Sequence, residues 1–203
     1  LNAERIMQLG EGAGHAIPTQ VVSSARGISN SAKRIAGIVQ GLLTFAKDAG
    51  GDPLERAEVG DLGRRCLDLC KQQLIERGIE LRGDIEGSSI AVRCRPSQVV
   101  QILLHLVSNA RDAVLRESGE KWIRLQAEVR DGWVELGVTD SGSGVPVEYR
   151  EKLFQPFFTT KDIGQGTGLG LSIAKGLAES QGGLVALDPD FSATRFVVRL
   201  PQA

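Results

Sequence analysis

An α+β fold is predicted, in which a helical hairpin precedes an α/β sandwich with helices on one face of a mixed sheet. Three observations predict it. Residues 1–47 carry apolar side chains at three- and four-residue spacing, the period of a helix with one buried face. From Leu54 on, segments of helical period alternate with segments of two-residue period, the pattern of helices and half-buried strands in one domain. Two of the strand-like segments are separated only by Asp131–Gly132, a hairpin signal, so the sheet is not purely parallel.

Taken in order, Ile6 and Leu9 open the first stripe. "HAIPTQ" interrupts it, and Pro18 fits the first turn of a second helix running to Lys47, because proline needs no N–H there. That helix carries Ile28, Ile35, Ile38, Val39, Leu42, Leu43 and Phe45. "DAGGDP" at 48–53 has the turn chemistry of a linker, which leaves 54–203 as a second domain. Asp61 is expected to cap a helix to about Arg77. "GIELRGDI" and "SSIAVRC" read as strands, and Pro96 and Ser97 open the helix "PSQVVQILLHLVSNARDAVLRES". "KWIRLQAEVR" and "WVELGVTD" flank the hairpin turn. "LGLSIAKGLAESQ" is a helix ended by Gly182–Gly183, and "LVALD" and "TRFVVRLP" are closing strands.

A formal net charge of −1 argues against a nucleic-acid or membrane-surface protein. No apolar run reaches the ~18 residues that span a bilayer, and no secretory signal is visible. Cys66, Cys70 and Cys94 are expected to be reduced thiols of a cytosolic protein. Cys66 and Cys70, four apart, would share a core face.

Glycines at 164, 166, 168 and 170 precede a predicted helix. Such spacing lets backbone N–H groups converge on one point, and the helix N-terminus adds partial positive charge, so phosphate is a natural guest; the alternative is a plain turn. The chain lacks G-x-x-x-x-G-K-[ST], and a loop rather than a strand precedes the glycines, so neither common phosphate motif applies. In "VTDSGSG", Asp140 ends a strand. It can accept from a purine amino group while Gly142 and Gly144 allow close approach, or it is an ordinary Asp-Gly turn. In "HLVSNARDAV", His105 and Asn109 share a helix face. The Asn109 carbonyl can serve Mg²⁺ as a hard oxygen ligand, or Asn109 is a satisfied buried amide.

The order of these pieces is more specific than any one of them. "HLVSNARDAV", "DSGSGVP", "LFQPFFTTK" and "GQGTGLGLSIAKGL" resemble the N box, first glycine box, F box and second glycine box of sensor histidine kinases. This branch belongs to the wider superfamily of gyrase, Hsp90 and MutL. The resemblance covers about 54–201 and implies ATP and Mg²⁺ as cofactors. It places Asp140 on adenine with Gly142 and Gly144 beside it, Asn109 on Mg²⁺, and His105 near the phosphate tail, with Asp112 in the same site. Gly166, Thr167, Gly168, Leu169 and Gly170 would cradle phosphates. The stretch between the glycine boxes would be an ATP lid. Thr159, Thr160 and Lys161 would meet phosphate or the phosphoryl acceptor, or else solvent. Phe154, Phe157 and Phe158 would pin the lid's root.

The resemblance also implies that residues 1–47 dimerise as a four-helix bundle and carry the phosphorylated histidine. Of the two histidines, only His15 is left for that role. Here the sequence departs from the family. Ala16 stands where the family has an acid that takes the imidazole proton, and the span from His15 to Phe45 is short for the hairpin. The implied function is autophosphorylation on histidine and transfer to an aspartate on a response-regulator receiver domain, in the cytoplasm, with a membrane link only through a region outside this chain. The alternatives are a degenerate kinase module that binds nucleotide without autophosphorylating, and an ATPase of the same superfamily.

Overall fold

A computed structural model describes residues 21–25, 27–28, 31–32, 53–83, 85–161, 166–189, 191 and 193–203. The chain separates into two compact units, one of residues 1–49 with 157–169, the other of 50–156 with 170–203. In the first, residues 21–25, 27–28 and 31–32 are helical. The remaining calls on the hairpin and its linker, His15 and Ala16 included, fall outside the described residues.

The second unit runs β1 (Glu55–Glu58), α1 (Val59–Glu76), β2 (Glu80–Arg82), a 3₁₀ turn (Ile85–Gly87), β3 (Ala91–Cys94), α2 (Pro96–Val114), β4 (Trp122–Arg130), β5 (Trp133–Asp140), α3 (Val147–Arg150), α4 (Gly170–Glu179), β6 (Leu184–Leu187) and β7 (Thr194–Pro201). Its main sheet has the order β2-β4-β5-β7-β6. β2 runs parallel to β4 and the other pairs are antiparallel. This is the mixed sheet the sequence predicts, and the α+β class holds. Alternation along the strands buries Ile123, Leu125, Val134, Leu136, Val138, Phe196, Val198 and Leu200. α2 packs between α1 and α4 and against β5, burying Val99, Ile102, Leu103, Leu106, Val107, Ala110 and Val114. On the strand positions of opposite parity, Arg195 pairs with Glu128 (2.7 Å) and Asp188 (3.1 Å), and Arg199 with Glu135 (2.7 Å).

The turns follow the sequence. Asp131 and Gly132 both have positive φ, 52° and 78°, the conformation that matches strand twist in a two-residue hairpin. Gly182 is left-handed at φ 74°, and the Gly183 N–H donates to the Ala178 carbonyl at 2.9 Å, closing α4. All three cysteines are free thiols; Cys66 is buried and Cys70 half-buried, its Sγ donating to the Cys66 carbonyl at 3.2 Å.

Three local readings are corrected. α1 begins at Val59, not after an Asp61 cap; its N-cap is Glu58, with no side-chain cap bond. The first two helical donors are satisfied instead by backbone, Val59 N–H by Ile90 O (2.8 Å) and Gly60 N–H by Ser88 O (3.0 Å). Asp61 lies in the first turn and pairs with Arg64 at 2.6 Å. β1, "ERAE", lacks an apolar alternation and was not expected; it is a strand because it pairs antiparallel with β3. The "GIELRGDI" strand is cut to Glu80–Arg82, because Gly83 (φ 98°) brings its backbone against the Leu125 carbonyl and a 3₁₀ turn follows.

Candidate functional site

His105, Asn109 and Asp112 lie on α2 at i, i+4 and i+7, all half-buried, so they form one stripe beside the buried face. Pro96 at the helix start and the dense apolar packing hold that stripe in place. The His105 Nε2 is buried and has no hydrogen-bond partner among the described residues. Burial pulls the imidazole below its ordinary pKa, so the ring is neutral at pH 7. A Cβ on Gly170 would lie 3.5 Å from His105 Nδ1, so the ring packs against the first residue of α4. The amides of that first turn have no intrahelical partner. The buried, unsatisfied Nε2 on the same ring is the kind of atom that calls for an explanation.

Asp112 is held by its neighbour. Arg111 donates to Asp112 Oδ1 from Nε (2.9 Å) and Nη2 (2.7 Å), and Nη2 also reaches Ser108 Oγ (3.2 Å). The sequence placed Asp112 in the site by resemblance alone; the structure gives its carboxylate a fixed orientation on the stripe.

Asp140 ends β5 and is 1% exposed. Its Oδ1 accepts from the Gly142 N–H at 2.9 Å, and the Thr194 hydroxyl, opposite it in the β5–β7 ladder, also bonds the carboxylate. Burial pushes the carboxyl up to about 6; the Gly142 and Thr194 bonds work against the shift without cancelling it. A Cβ on Gly142 would lie 2.8 Å from Asp140 Oδ1 and 3.1 Å from Ala113 Cβ. The missing side chain therefore lets the carboxylate turn pack against α2 next to Asp112. Gly144 is left-handed at φ 91°. Asp140, Gly142 and the stripe of α2 thus come together in one unit, with Gly170 at its α4 edge. Thr194 is the residue the sequence reading missed. A lone threonine at a strand start carries no signal until the ladder sets it opposite Asp140.

The segment 157–169 belongs to the other unit. In it the Lys161 N–H donates to Thr159 Oγ1 at 3.2 Å, and the Leu169 N–H to Thr167 Oγ1 at 3.4 Å. Gly166 lies against Thr159 and Lys161: a Cβ there would sit 3.0 Å from Thr159 Oγ1 and 2.9 Å from Lys161 Cδ. Thr159, Lys161 and Gly166 are therefore neighbours, and Thr159 and Thr160 are both exposed. The shared role given to three phenylalanines is corrected. Phe154 does pack: it meets Phe196 edge-on at 6.4 Å, with the Lys175 Nζ 5.9 Å from its ring centre. Phe157, by contrast, is 51% exposed. Its backbone is left-handed, with φ 68°. Among the described residues no cluster of three or more His, Cys, Asp or Glu is placed to hold a metal.

The family described as histidine kinase-, DNA gyrase B- and HSP90-like ATPase matches residues 94–203. The chain is 40% identical over 141 residues to the two-component sensor PprA of Pseudomonas aeruginosa, covering 68% of this chain and 15% of that sensor's length. The catalytic domain of the histidine kinase ThkA superposes with a TM-score of 0.65 at 29% identity, over 74% of this chain and 97% of that one. Full-length ShkA in complex with AMPPNP does so with a TM-score of 0.66 at 25% identity, over 98% of this chain and 42% of that one.

Proposed function

This chain belongs to the histidine kinase-, DNA gyrase B- and HSP90-like ATPase family and carries the ATP-binding core of a histidine kinase, and we propose that it binds ATP at Asp140 and α2 and phosphorylates a histidine, His15. The single observation that carries the reading is the Asp140 carboxylate. It is almost wholly buried, oriented by Gly142 and Thr194, and still ionised at neutral pH. A carboxylate with two bonds has acceptor capacity left, and an adenine amine is a donor that would use it. The neutral His105 ring, with its buried and unpartnered Nε2, is suited to donate to a phosphate oxygen. By resemblance, Gly166, Thr167, Gly168, Leu169 and Gly170 are proposed as phosphate contacts, and Thr159, Thr160 and Lys161 as polar groups of the lid.

Mg²⁺ fits the donor set as a guest of the nucleotide. It keeps several waters and takes one or two protein oxygens plus phosphates, and the Asn109 amide, with Asp112 one turn on, is a set of that size. When bound, the ion would spread the charge that develops on the transferring phosphoryl group. The chain's own residues orient the base, hold the tail and, at His15, supply the attacking nitrogen. Transfer to a receiver-domain aspartate of a response regulator would follow, as the similarity to two-component sensors supports. The sequence division into a dimerising hairpin at 1–47, a linker at 48–53 and an ATP-binding domain at 54–203 belongs to the same proposal.

ATP affinity is expected to fall as pH drops through about 6. Below that pH Asp140 takes up a proton and loses charge and acceptor capacity. Calorimetric titration with ATP from pH 7.5 to 5 checks this; a flat profile speaks against Asp140 as the adenine contact. Residues 1–47 carry an apolar stripe wider than one partner helix covers, so the chain is expected to be a homodimer through that segment. Light scattering of the whole chain should report a dimer, and removal of 1–47 should leave a monomer that still binds ATP.

A further inference from the structure

Phe157 has φ 68°. The other described non-glycine residue with positive φ is Asp131, in a hairpin turn and of a type that tolerates the left-handed region. A phenylalanine there is strained, and its ring, 51% exposed, does not offset the strain by burial. What faces it is Gly168, itself left-handed at φ 67°. A Cβ on Gly168 would overlap the Phe157 carbonyl carbon, lying 2.6 Å from its oxygen and 2.8 Å from its Cα. Only a residue without a side chain brings two backbones that close. Two residues further into the loop, Gly166 lies against the side chains of Thr159 and Lys161.

We propose that Phe157 and Gly168 form a backbone latch closing the base of the nucleotide lid, in which the left-handed backbone of Phe157, not its ring, is the positioning element. The proposal rests on the reading of this segment as an ATP lid. Closing a loop at its base removes conformational freedom that would otherwise be lost on binding. Backbone strain of this kind persists where neighbouring contacts over-determine it, and it concentrates at clamps and switches.

The test is a series at position 157 in the full chain, because two explanations order it oppositely. Backbone compatibility ranks Phe157→Gly and Phe157→Asn at or above the parent and Phe157→Val below it. Loss of an apolar ring ranks Val nearest the parent, then Asn and Gly. ATP affinity by calorimetry and the melting temperature without nucleotide are the readouts. The latch predicts that Gly and Asn keep ATP affinity within about threefold and melt no lower than the parent. Val, β-branched and forced left-handed, should bind about tenfold more weakly, and Gly168→Ala at least about tenfold more weakly. Retained affinity in Asn is the signature that ring packing would not give. Weak binding by Gly and Asn with Val intact overturns the latch, and so does equal behaviour of all the variants. If the parent itself fails to bind ATP, the site reading fails on its own. The melting temperatures then decide the latch by the same ranking.

Discussion

Asp140→Asn is expected to weaken ATP binding by roughly ten- to a hundredfold, the loss of one charge-assisted hydrogen bond, while making the nucleotide-free protein more stable. The second half follows from burial. Asp140 is 1% exposed and its carboxyl is pushed from 3.8 to about 6. Folding therefore disfavours the ionised form. The cost is absent below the unfolded value, grows between the two, and is complete above pH 6. At roughly 1.4 kcal/mol per unit it is on the order of 3 kcal/mol. Asparagine keeps an oxygen for the Gly142 N–H and removes the charge. Thermal unfolding without nucleotide should show the variant more stable at pH 7.5, with the gap closing by pH 4. Unchanged ATP affinity in a folded Asp140→Asn protein would remove Asp140 from the site. Lower stability at pH 7.5 would mean that the buried charge is compensated after all.

Ala16→Glu is expected to raise the rate of autophosphorylation by about 10²–10⁴, the usual contribution of a general base, without changing ATP affinity. As the histidine nitrogen bonds to the γ-phosphorus and the bond to ADP breaks, the imidazole must give up a proton, and alanine at 16 cannot take it. Both residues lie outside the described part of the structure, so the expectation comes from the sequence. Incubation with γ-labelled ATP, followed by acid treatment, reads it out. The parent should label slowly, Ala16→Glu rapidly and acid-labilely, and Ala16→Glu combined with His15→Gln not at all. Rapid labelling of the parent with no gain from glutamate would mean that His15 is not the acceptor. Hydrolysis without label would favour an ATPase of the family. Neither label nor hydrolysis in any form would favour a module that binds nucleotide without catalysis, which Ala16 makes the strongest alternative.

Where residue pattern and local geometry coincide, the sequence reading is accurate. "TRFVVRLP" and "WVELGVTD" are rich in β-branched and other apolar residues, and both are strands over the same residues, β7 and β5. The Asp131–Gly132 turn was readable because only a few residue types take positive φ twice in a row. β1 was not readable, because "ERAE" becomes a strand only through its partner β3. The start of α1 was misplaced because its donors are met by Ile90 and Ser88 carbonyls rather than a side chain. At the site, His105, Asn109 and Asp140 stand out as polar residues where apolar ones are expected. Thr194 becomes visible only with the ladder register, and the role of Phe157 only with its φ. The resemblance gave three phenylalanines one role, whereas Phe154 packs edge-on against Phe196 and Phe157 is half exposed.

Direct titration of the whole chain with ATP and with GTP, each with Mg²⁺ at pH 7.5, tests the central claim most directly. Adenine presents an amine to a carboxylate, whereas guanine presents a carbonyl oxygen at the same ring position, an acceptor facing an acceptor. If Asp140 reads the base, ATP should bind and GTP should bind at least about tenfold more weakly, since the unpaired contact leaves a buried charge unsatisfied. Equal affinity for the two nucleotides, or no binding of either, would contradict the assignment of Asp140 as the residue that selects the base.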